Sequence, residues 1–412
     1  MVSAVAHRDA LADIAGAAHV REAREADGVA GVLPALVVAP ATEAQVAAVL
    51  SWATRESLAV VVRGGGTKLD WGAPPRRCDV VLSTARLDAV VEHEPGDLVC
   101  VAQAGVRLDT LQHALAAHRQ ALMLDPGQGV AATLGGIVAA NASGPLRTRY
   151  GSARDLVIGA RFVLADGTVG HSGGKVVKNV AGYDVAKLLT GSLGTLAVIT
   201  ELSLRLHPLP RATRTVAVEG LTAEAAADAW RAIEGASVVP AAALLPWPDG
   251  ALLVRIDGTE DGVAAQVATL RHAQPGARPL DAEEAAAAWA RASNVTGSPD
   301  TGAPVAAIAV PRTQLAALLD RLGSAAERAV VLPSLGVAEA HLPADATPAQ
   351  VTTLRNWAGS AGGHLTLRRP SPALAEVTWP DADGAALDLM RSVKHSLDPT
   401  GTLAPGRYLG GI

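Results

Sequence analysis

The sequence predicts an α+β fold spread over two or three domains, on three observations. The chain has 412 residues, too many for one ordinary hydrophobic core. Short apolar runs alternate with amphipathic runs from Val32 onward, as in α/β or α+β domains. Three glycine-rich blocks interrupt that alternation, each at the end of a regular element.

Residues 1–30 read as an Ala-rich helical segment with its charges on one side. "VLPALVVAP" is a short strand ending in proline. "ATEAQVAAVLSWATRESL" is an amphipathic helix with Thr42 as its N-cap. "AVVVRGGGT" is a second strand that stops at three glycines, and "DVVLSTARL" and "LVCVAQAGV" are further strands. "RLDTLQHALAAHRQ" is a helix. The second glycine block, "LDPGQGVAATLGGIVAANASGP", runs from Leu124 to Pro145, and the third, "LLTGSLGTLAVITELSLRLHP", from Leu188 to Pro208. The proline-bearing stretch His207 to Pro210 then makes a boundary, so residues 31–210 form one expected domain. In residues 211–390 helical text such as "TAEAAADAWRAIEG" alternates with strand-like "ALLVRID" and "PVAAIAVP", which gives a second domain. Residues 391–412 read as a helix and a glycine- and proline-rich tail.

Composition excludes several functions. The net charge is −5, so no global attraction draws the chain to nucleic acid. Aromatic residues are 3% of the chain, with Phe162 the single Phe, too few for a base-stacking platform. No apolar stretch is long enough to span a bilayer, and His7, Arg8 and Asp9 break the apolar core a signal peptide would need. Cys78 and Cys100 form no CxxC pair and suggest no disulfide framework. A reducing cytoplasm is expected.

The glycine blocks carry the chemistry. Gly64, Gly65 and Gly66 serve either a tight turn or an anion cradle, in which bare N–H groups converge on phosphate with help from Thr67, Lys68 and Arg63. The familiar nucleotide motifs fail here. Val176 in "GGKVV" stands where a P-loop needs Ser or Thr, and no GxGxxG links a strand to a helix. In the second block Gly135 and Gly136 precede Ala139, Ala140, Asn141, Ala142, Ser143 and Gly144. That run reads either as close helix packing or as a helix offering N–H groups to a diphosphate while small side chains admit a flat ligand. The third block is a backbone-rich turn before a strand from Ala197 to Leu206.

The order "RGGGT", "DPG…TLGGIVAANASG", "YGSARDLVIGARFVLADGTV", "GSLGTLAVITELSLRLHP" resembles the vanillyl-alcohol-oxidase/PCMH-type FAD-binding fold over about residues 30–210. "LDPTGTLAPGR" is similar to the closing segment with which that family returns to its flavin domain. "GGKVVKNVAGYDVAKLLTGSLGTLAVITELSLRLHP", "AGGHLTLRR" and "PGRYLGG" resemble the FAD-binding E subunit of bacterial glycolate oxidase. The resemblance implies a PCMH-type domain of two α/β subdomains with an α+β cap domain. It implies FAD as cofactor, and a role in oxidising glycolate to glyoxylate. The implied partners are a second FAD-containing subunit and an iron–sulfur subunit, through which any membrane association would come. Alternatives are a self-sufficient FAD-dependent 2-hydroxy-acid dehydrogenase and a structural subunit with a decayed flavin site.

Carried over position by position, the family's diphosphate loop falls on Arg63, Gly64, Gly65, Gly66, Thr67 and Lys68. Its second FAD segment falls on Pro126, Gly127, Thr133, Gly135, Gly136, Asn141, Ser143 and Gly144. The adenine- and ribityl-side contacts fall on Gly191, Ser192, Gly194, Thr195 and Ile199. The position that often carries a flavin-linking His in relatives is Thr67, so FAD is expected to be non-covalent. Leu193 and Ala197 depart from the GSEGTLG of related hydroxy-acid dehydrogenases, and the His-rich motif of their second domain is missing. His272, His341 and His364 are scattered, and His113 and His118 read as surface residues, so no metal site is expected. His364, beside Gly362, Gly363 and Arg368, is either a flavin-facing group or a turn residue before an edge strand. Lys178, Asn179, Tyr183 and Asp184 likewise read as flavin neighbours or as loop packing. With no cation and base in one place, the isolated chain is expected not to oxidise glycolate without its partners.

Overall fold

The computed structural model describes residues 4–127, 131–175, 182–248, 250–297 and 303–412. Its first sheet has the strand order Val20–Glu22, Leu36–Val38, Val80–Ser83, Val60–Arg63. The last three strands run parallel and the first antiparallel. Helix Glu43–Arg55 covers the sheet because Val46, Val49, Leu50 and Ala53 fall on one face. Thr42 caps that helix by accepting from the Gln45 amide at 3.2 Å. The N-terminal segment differs from the helix expected over residues 1–30. Helix Ala4–Ala15 stops at Gly16, where φ is +91°, and the chain turns back as a strand.

The second sheet is antiparallel, in the order Val90–Glu94, Val99–Gln103, Val198–Arg205, Val157–Val163, Val169–Gly173. Helices Leu108–Ala116 and Leu134–Ala140 pack Leu111, Leu115, Ile137 and Val138 against Cys100, Ala102, Leu202 and Leu204. Each large apolar side chain buried this way contributes roughly 1.5–3 kcal/mol.

Residues 212–369 build an eight-stranded antiparallel sheet. Helices Ala223–Gly235, Glu260–Ala273, Leu315–Ala325 and Pro348–Ser360 share one core with its first face. Helix Ala282–Gly297 shields part of the other face through Trp289 and Ala292, packed with Leu244, Val330 and Leu332. The rest of that face meets the second sheet's loops. Leu146, Tyr150 and Met123 cluster with Ala242 and Trp289, and Thr148 Oγ1 lies 2.9 Å from Ser334 Oγ.

The C-terminal segment crosses back. Helix Gly384–Leu397 packs Val393 and Leu397 on the second sheet's core. Lys394 Nζ bonds Asp398 Oδ2 at 2.6 Å, the Thr195 carbonyl at 2.7 Å and the Leu403 carbonyl at 2.9 Å. Val60 then donates to the Thr402 carbonyl and Ala404 to the Val60 carbonyl, so the tail lies along the strand that leads into the first glycine block.

Candidate functional site

A crevice of about 730 Å³ opens between the first and second sheets. Strand Val60–Arg63 delivers Gly64, Gly65, Gly66, Thr67 and Lys68 to its rim. The facing wall carries Thr133, Gly135, Gly136, Leu193, Gly194 and Ile199. A cleft of about 1270 Å³ lies between these blocks and the eight-stranded sheet, lined by Pro126, Gly127, Ser143 and Gly144 among others. Thr67 and Lys68 line both, so the two spaces share one threshold.

Bare amides are present at that rim. The Gly65 amide donates to Thr133 Oγ1 at 3.3 Å. Among the described residues the amides of Gly64, Gly66 and Thr67 meet no acceptor. Gly66 takes φ +78°, and a Cβ there would meet only Arg63 Cδ, at 3.9 Å. Gly64 and Gly65 are needed for a different reason. A Cβ on Gly64 would lie 2.0 Å from Thr133 Oγ1, and one on Gly65 1.8 Å from the Ala131 carbonyl oxygen. These two glycines let the first and second blocks touch.

The helix Leu134–Ala140 offers less than its sequence promises. Leu134 donates to the Val106 carbonyl and Gly135 to the Ala104 carbonyl, so those amides are already spent. Gly135 is packed against Ala104, whereas Gly136 is half-exposed to the crevice. Asn141 ends the helix at φ +46°. Its Oδ1 and the Ser143 Oγ are buried without a hydrogen-bond partner among the described residues, although buried polar atoms normally have one.

Several expected residues stand back from both spaces. The Arg63 guanidinium turns to Asp27, 2.6 Å away, which also binds Arg21. Gly191, Ser192 and Thr195 shape a tight turn, with φ +85° at Gly191 and Thr195 Oγ1 donating to the Ser192 carbonyl. His364 sits exposed at the start of strand His364–Arg369 and lines neither space. Tyr183 and Asp184 are exposed, and Lys178 and Asn179 lie outside the described residues.

The cleft holds charges of which sequence reasoning had assigned only Lys68. Lys68, Arg147, Arg368 and Arg369 line it together with Glu339 and Asp125. Arg368 pairs with Glu339 at 3.2 Å and Arg369 with Asp70. Arg147 is in no ion pair among the described residues. Trp71 sits between loop and sheet, its ring centroid 4.2 Å from Arg368 Cζ and 5.4 Å from Lys68 Nζ. Burial pulls the Lys68 ammonium down to about 8, with Glu339 opposing and Arg368 reinforcing the shift. Burial, then Arg368, lowers Arg147. Burial raises the Asp125 carboxyl to about 6, against the pull of the Leu146 amide. A cation set that the sequence did not reveal is therefore gathered in one place.

Arg407 supports the rim from the C-terminal tail. Its buried guanidinium donates to the carbonyls of Leu69 and Trp71, and burial lowers it to about 10. No His, Cys or Tyr lines the crevice or the cleft among the described residues. Cys78 and Cys100 are buried in cores, which pushes their thiols up to about 12 and 11. No group of His, Cys, Asp and Glu among the described residues could hold a metal ion, and no described helix is long and apolar enough to cross a membrane.

Comparison with known proteins agrees with this geometry. Residues 34–173 match the FAD binding domain family. The D-lactate dehydrogenase of Archaeoglobus fulgidus is 41% identical over 190 residues, 46% of this chain and 42% of that protein. Glycolate oxidase subunit GlcE of Escherichia coli is 35% identical over 209 residues, 50% of this chain and 58% of that protein. Glycolate oxidase subunit GlcD of Bacillus subtilis is 33% identical over 211 residues, 51% and 44% of the two chains. The chain spans about half the length of the curated relatives it matches. In three dimensions it resembles 4-ethylphenol oxidase from Gulosibacter chungangensis, with a TM-score of 0.75 at 16% identity over 99% of this chain and 97% of that one. p-Cresol methylhydroxylase gives 0.74 at 15% identity over the same shares. The unpartnered Asn141 and Ser143 oxygens and the bare loop amides suit a cofactor rich in phosphate and heteroatom edges. The chain has the α+β, PCMH-type FAD-binding fold, and FAD is its cofactor.

Proposed function

We propose that this chain is an FAD-dependent oxidoreductase that serves as the flavin-binding subunit of a glycolate-oxidising complex. Its partners in that complex are a second flavin-containing subunit and an iron–sulfur subunit. The observation that carries the reading is the crevice, lined by Gly64, Gly66 and Thr67, whose amides meet no acceptor among the described residues, and by Gly136. The identity with subunits named for glycolate oxidase supports the substrate class and the complex.

FAD supplies the two-electron acceptor when bound. The chain's own residues do the holding. The loop amides take the diphosphate, as positive ends of backbone dipoles suit an anion. Thr133 braces that loop through the Gly65 amide. The Ser143 hydroxyl, on the cleft wall, supplies a hydrogen-bond edge, Asn141 stands behind both walls, and Gly194 and Ile199 supply a close apolar wall. Trp71 and the apolar strands of the large sheet form the apolar part of the cleft wall. Among the described residues no His, Cys or Tyr lines either space, which supports a cofactor held without a covalent bond.

The test is an absorption spectrum of the purified chain, followed by acid precipitation and anaerobic glycolate. We expect a yellow protein, chromophore in the supernatant, and bleaching by glycolate once the partner subunits are present. A colourless chain refutes the reading, and flavin retained in the pellet refutes the non-covalent bond. A second reading, a self-sufficient 2-hydroxy-acid dehydrogenase, is favoured by the Lys68, Arg147 and Arg368 cluster. Bleaching of the lone chain at a typical enzyme rate, about 10 s⁻¹, would promote it.

A further inference from the structure

Lysine is scarce in this chain, and Lys68 is set apart from the rest. The others are Lys175, Lys178, Lys187 and Lys394. Lys175 pairs with Glu92, Lys187 donates to the carbonyls of Arg154 and Val157, and Lys394 is held by Asp398 and two carbonyls. Lys178 lies outside the described residues. Lys68 stands half-buried at the threshold that the crevice and the cleft share. Among the described residues its Nζ is in no ion pair, and it donates to Thr67 Oγ1 at 3.2 Å. Glu339 and Asp70, the acidic groups whose charge reaches Lys68, are already paired with Arg368 and Arg369.

Two features turn that ammonium toward the free amine. Burial strips water from the cation, and Arg368 shares the Trp71 ring with it, Arg368 Cζ at 4.2 Å from the centroid and Lys68 Nζ at 5.4 Å. A lysine that is desolvated and set beside another cation is an activated nucleophile. With its ammonium pulled down to about 8, Lys68 carries roughly a hundredfold more free amine at pH 8 than a lysine at the ordinary 10.5. Its flexible four-carbon stem lets the nitrogen turn into either space.

We propose that Lys68 is a covalent capture site for small aldehydes and α-oxo acids, whose carbonyl carbon it takes as an imine. The assignment rests on the proposed hydroxy-acid oxidation in one respect, since a carbonyl compound is the class of product that such a reaction leaves beside Lys68. The nitrogen lone pair attacks the carbonyl carbon and a carbon–nitrogen double bond replaces the carbon–oxygen one. The oxygen leaves as water, taking both amine hydrogens, and nothing is oxidised or reduced. Water reverses the step, so product is held at the threshold only while it is abundant. The competing partner for the nitrogen is the cofactor's diphosphate, which would keep it charged and masked.

Sodium glyoxylate and cyanoborohydride, added together to the purified protein, test the assignment, because reduction of the imine fixes it as a carboxymethyl group on the lysine. Peptide mapping by mass spectrometry locates that group, and flavin content is measured on the same protein beforehand. Lys68 should be labelled at least about tenfold faster than any other lysine. Its lead over a lysine in a short reference peptide should narrow as pH rises past about 8. Lys68→Arg keeps the cation and removes the nucleophile, so total label should fall to the background of the other lysines. Wild-type protein given glyoxylate alone should return to its unlabelled mass on dialysis. Equal labelling of all lysines overturns the proposal. A Lys68 that stays unlabelled in flavin-loaded protein overturns it too, and reaction only after flavin removal would assign the nitrogen to the cofactor. Selective labelling of Lys68 in a chain that carries no flavin upholds the capture site and refutes the flavoprotein reading instead.

Discussion

Gly135 and Gly136 are adjacent in sequence and do different jobs, which a pair of substitutions separates. A Cβ on Gly135 would sit 2.7 Å from Ala104 Cβ and 3.0 Å from the Ala104 carbonyl oxygen. Neither neighbour can swing away, so the helix must shift, at a cost of about 1–3 kcal/mol for overpacking. Replacing Gly by Ala in a helix returns about 1 kcal/mol. Gly135→Ala should therefore lower stability by up to about 2 kcal/mol. On Gly136 the nearest atom to a new Cβ is Thr133 Oγ1 at 3.2 Å, a side-chain hydroxyl that can move by a few tenths of an ångström. The helix-propensity gain then dominates, and Gly136→Ala should leave the flavin-free protein as stable as wild type or slightly more so. Its methyl group enters the crevice, so FAD affinity should fall about tenfold, or about 1.4 kcal/mol, with a larger loss for Gly136→Val. Thermal melts of flavin-free protein give the stability, and quenching of flavin fluorescence gives the affinity. A folded Gly136→Val that binds FAD like wild type would falsify the crevice as the place where cofactor meets backbone.

Three further outcomes follow from buried charge. Lys394→Met strands the fully buried Asp398 carboxylate and should cost about 3–5 kcal/mol in urea unfolding, with the C-terminal tail losing its protection from proteolysis. Hydrogen bonds from Arg21 and then Arg63 hold Asp27 well below the ordinary carboxylate range. A depressed carboxylate stabilises above its unfolded pKa and loses that stabilisation as pH falls toward the folded value. The stability gap between wild type and Asp27→Asn should thus be full at neutral pH and shrink below about pH 4, with flavin content unchanged. Lys68 has the opposite sense, because its folded value of about 8 lies below the ordinary 10.5. The burial penalty is present at neutral pH and is relieved between those values, so flavin-free Lys68→Met should exceed wild type in stability at pH 7 and the gap should close as pH rises. A gap that widens over that window would show that Lys68 is paired in the folded state.

What was legible in the sequence is what the backbone does. "VVVRGGGT" predicts a strand that ends in bare peptide groups, and the chain forms the strand Val60–Arg63 with the loop at a crevice rim. Thr42 is an N-cap by residue type and by its bond to the Gln45 amide. Arg63 was harder, because adjacency to the loop says nothing about side-chain direction. Successive residues of a strand point to opposite faces, and the partner waiting for Arg63 is Asp27, in the short turn Glu25–Asp27 of a segment whose composition suggested one long helix. Misreading that turn hid the carboxylate and left Arg63 free to be assigned to phosphate.

The two spaces differ in legibility for a physical reason. A diphosphate held by peptide groups leaves its mark in glycine, which is visible at one place in the chain. A site made of long cations leaves no local mark, because Arg and Lys are ordinary surface residues until two sheets meet. "RTRYG" and "LTLRR" contain the relevant arginines, and nothing within either stretch announces that Arg147 and Arg368 will line one cleft. His364 drew attention as the familiar acid–base residue, yet it lies exposed at the start of the strand whose later residue, Arg368, reaches the cleft. Arg147 becomes a cleft residue only because the large sheet packs over it, and that tertiary fact is written nowhere in its own stretch of chain.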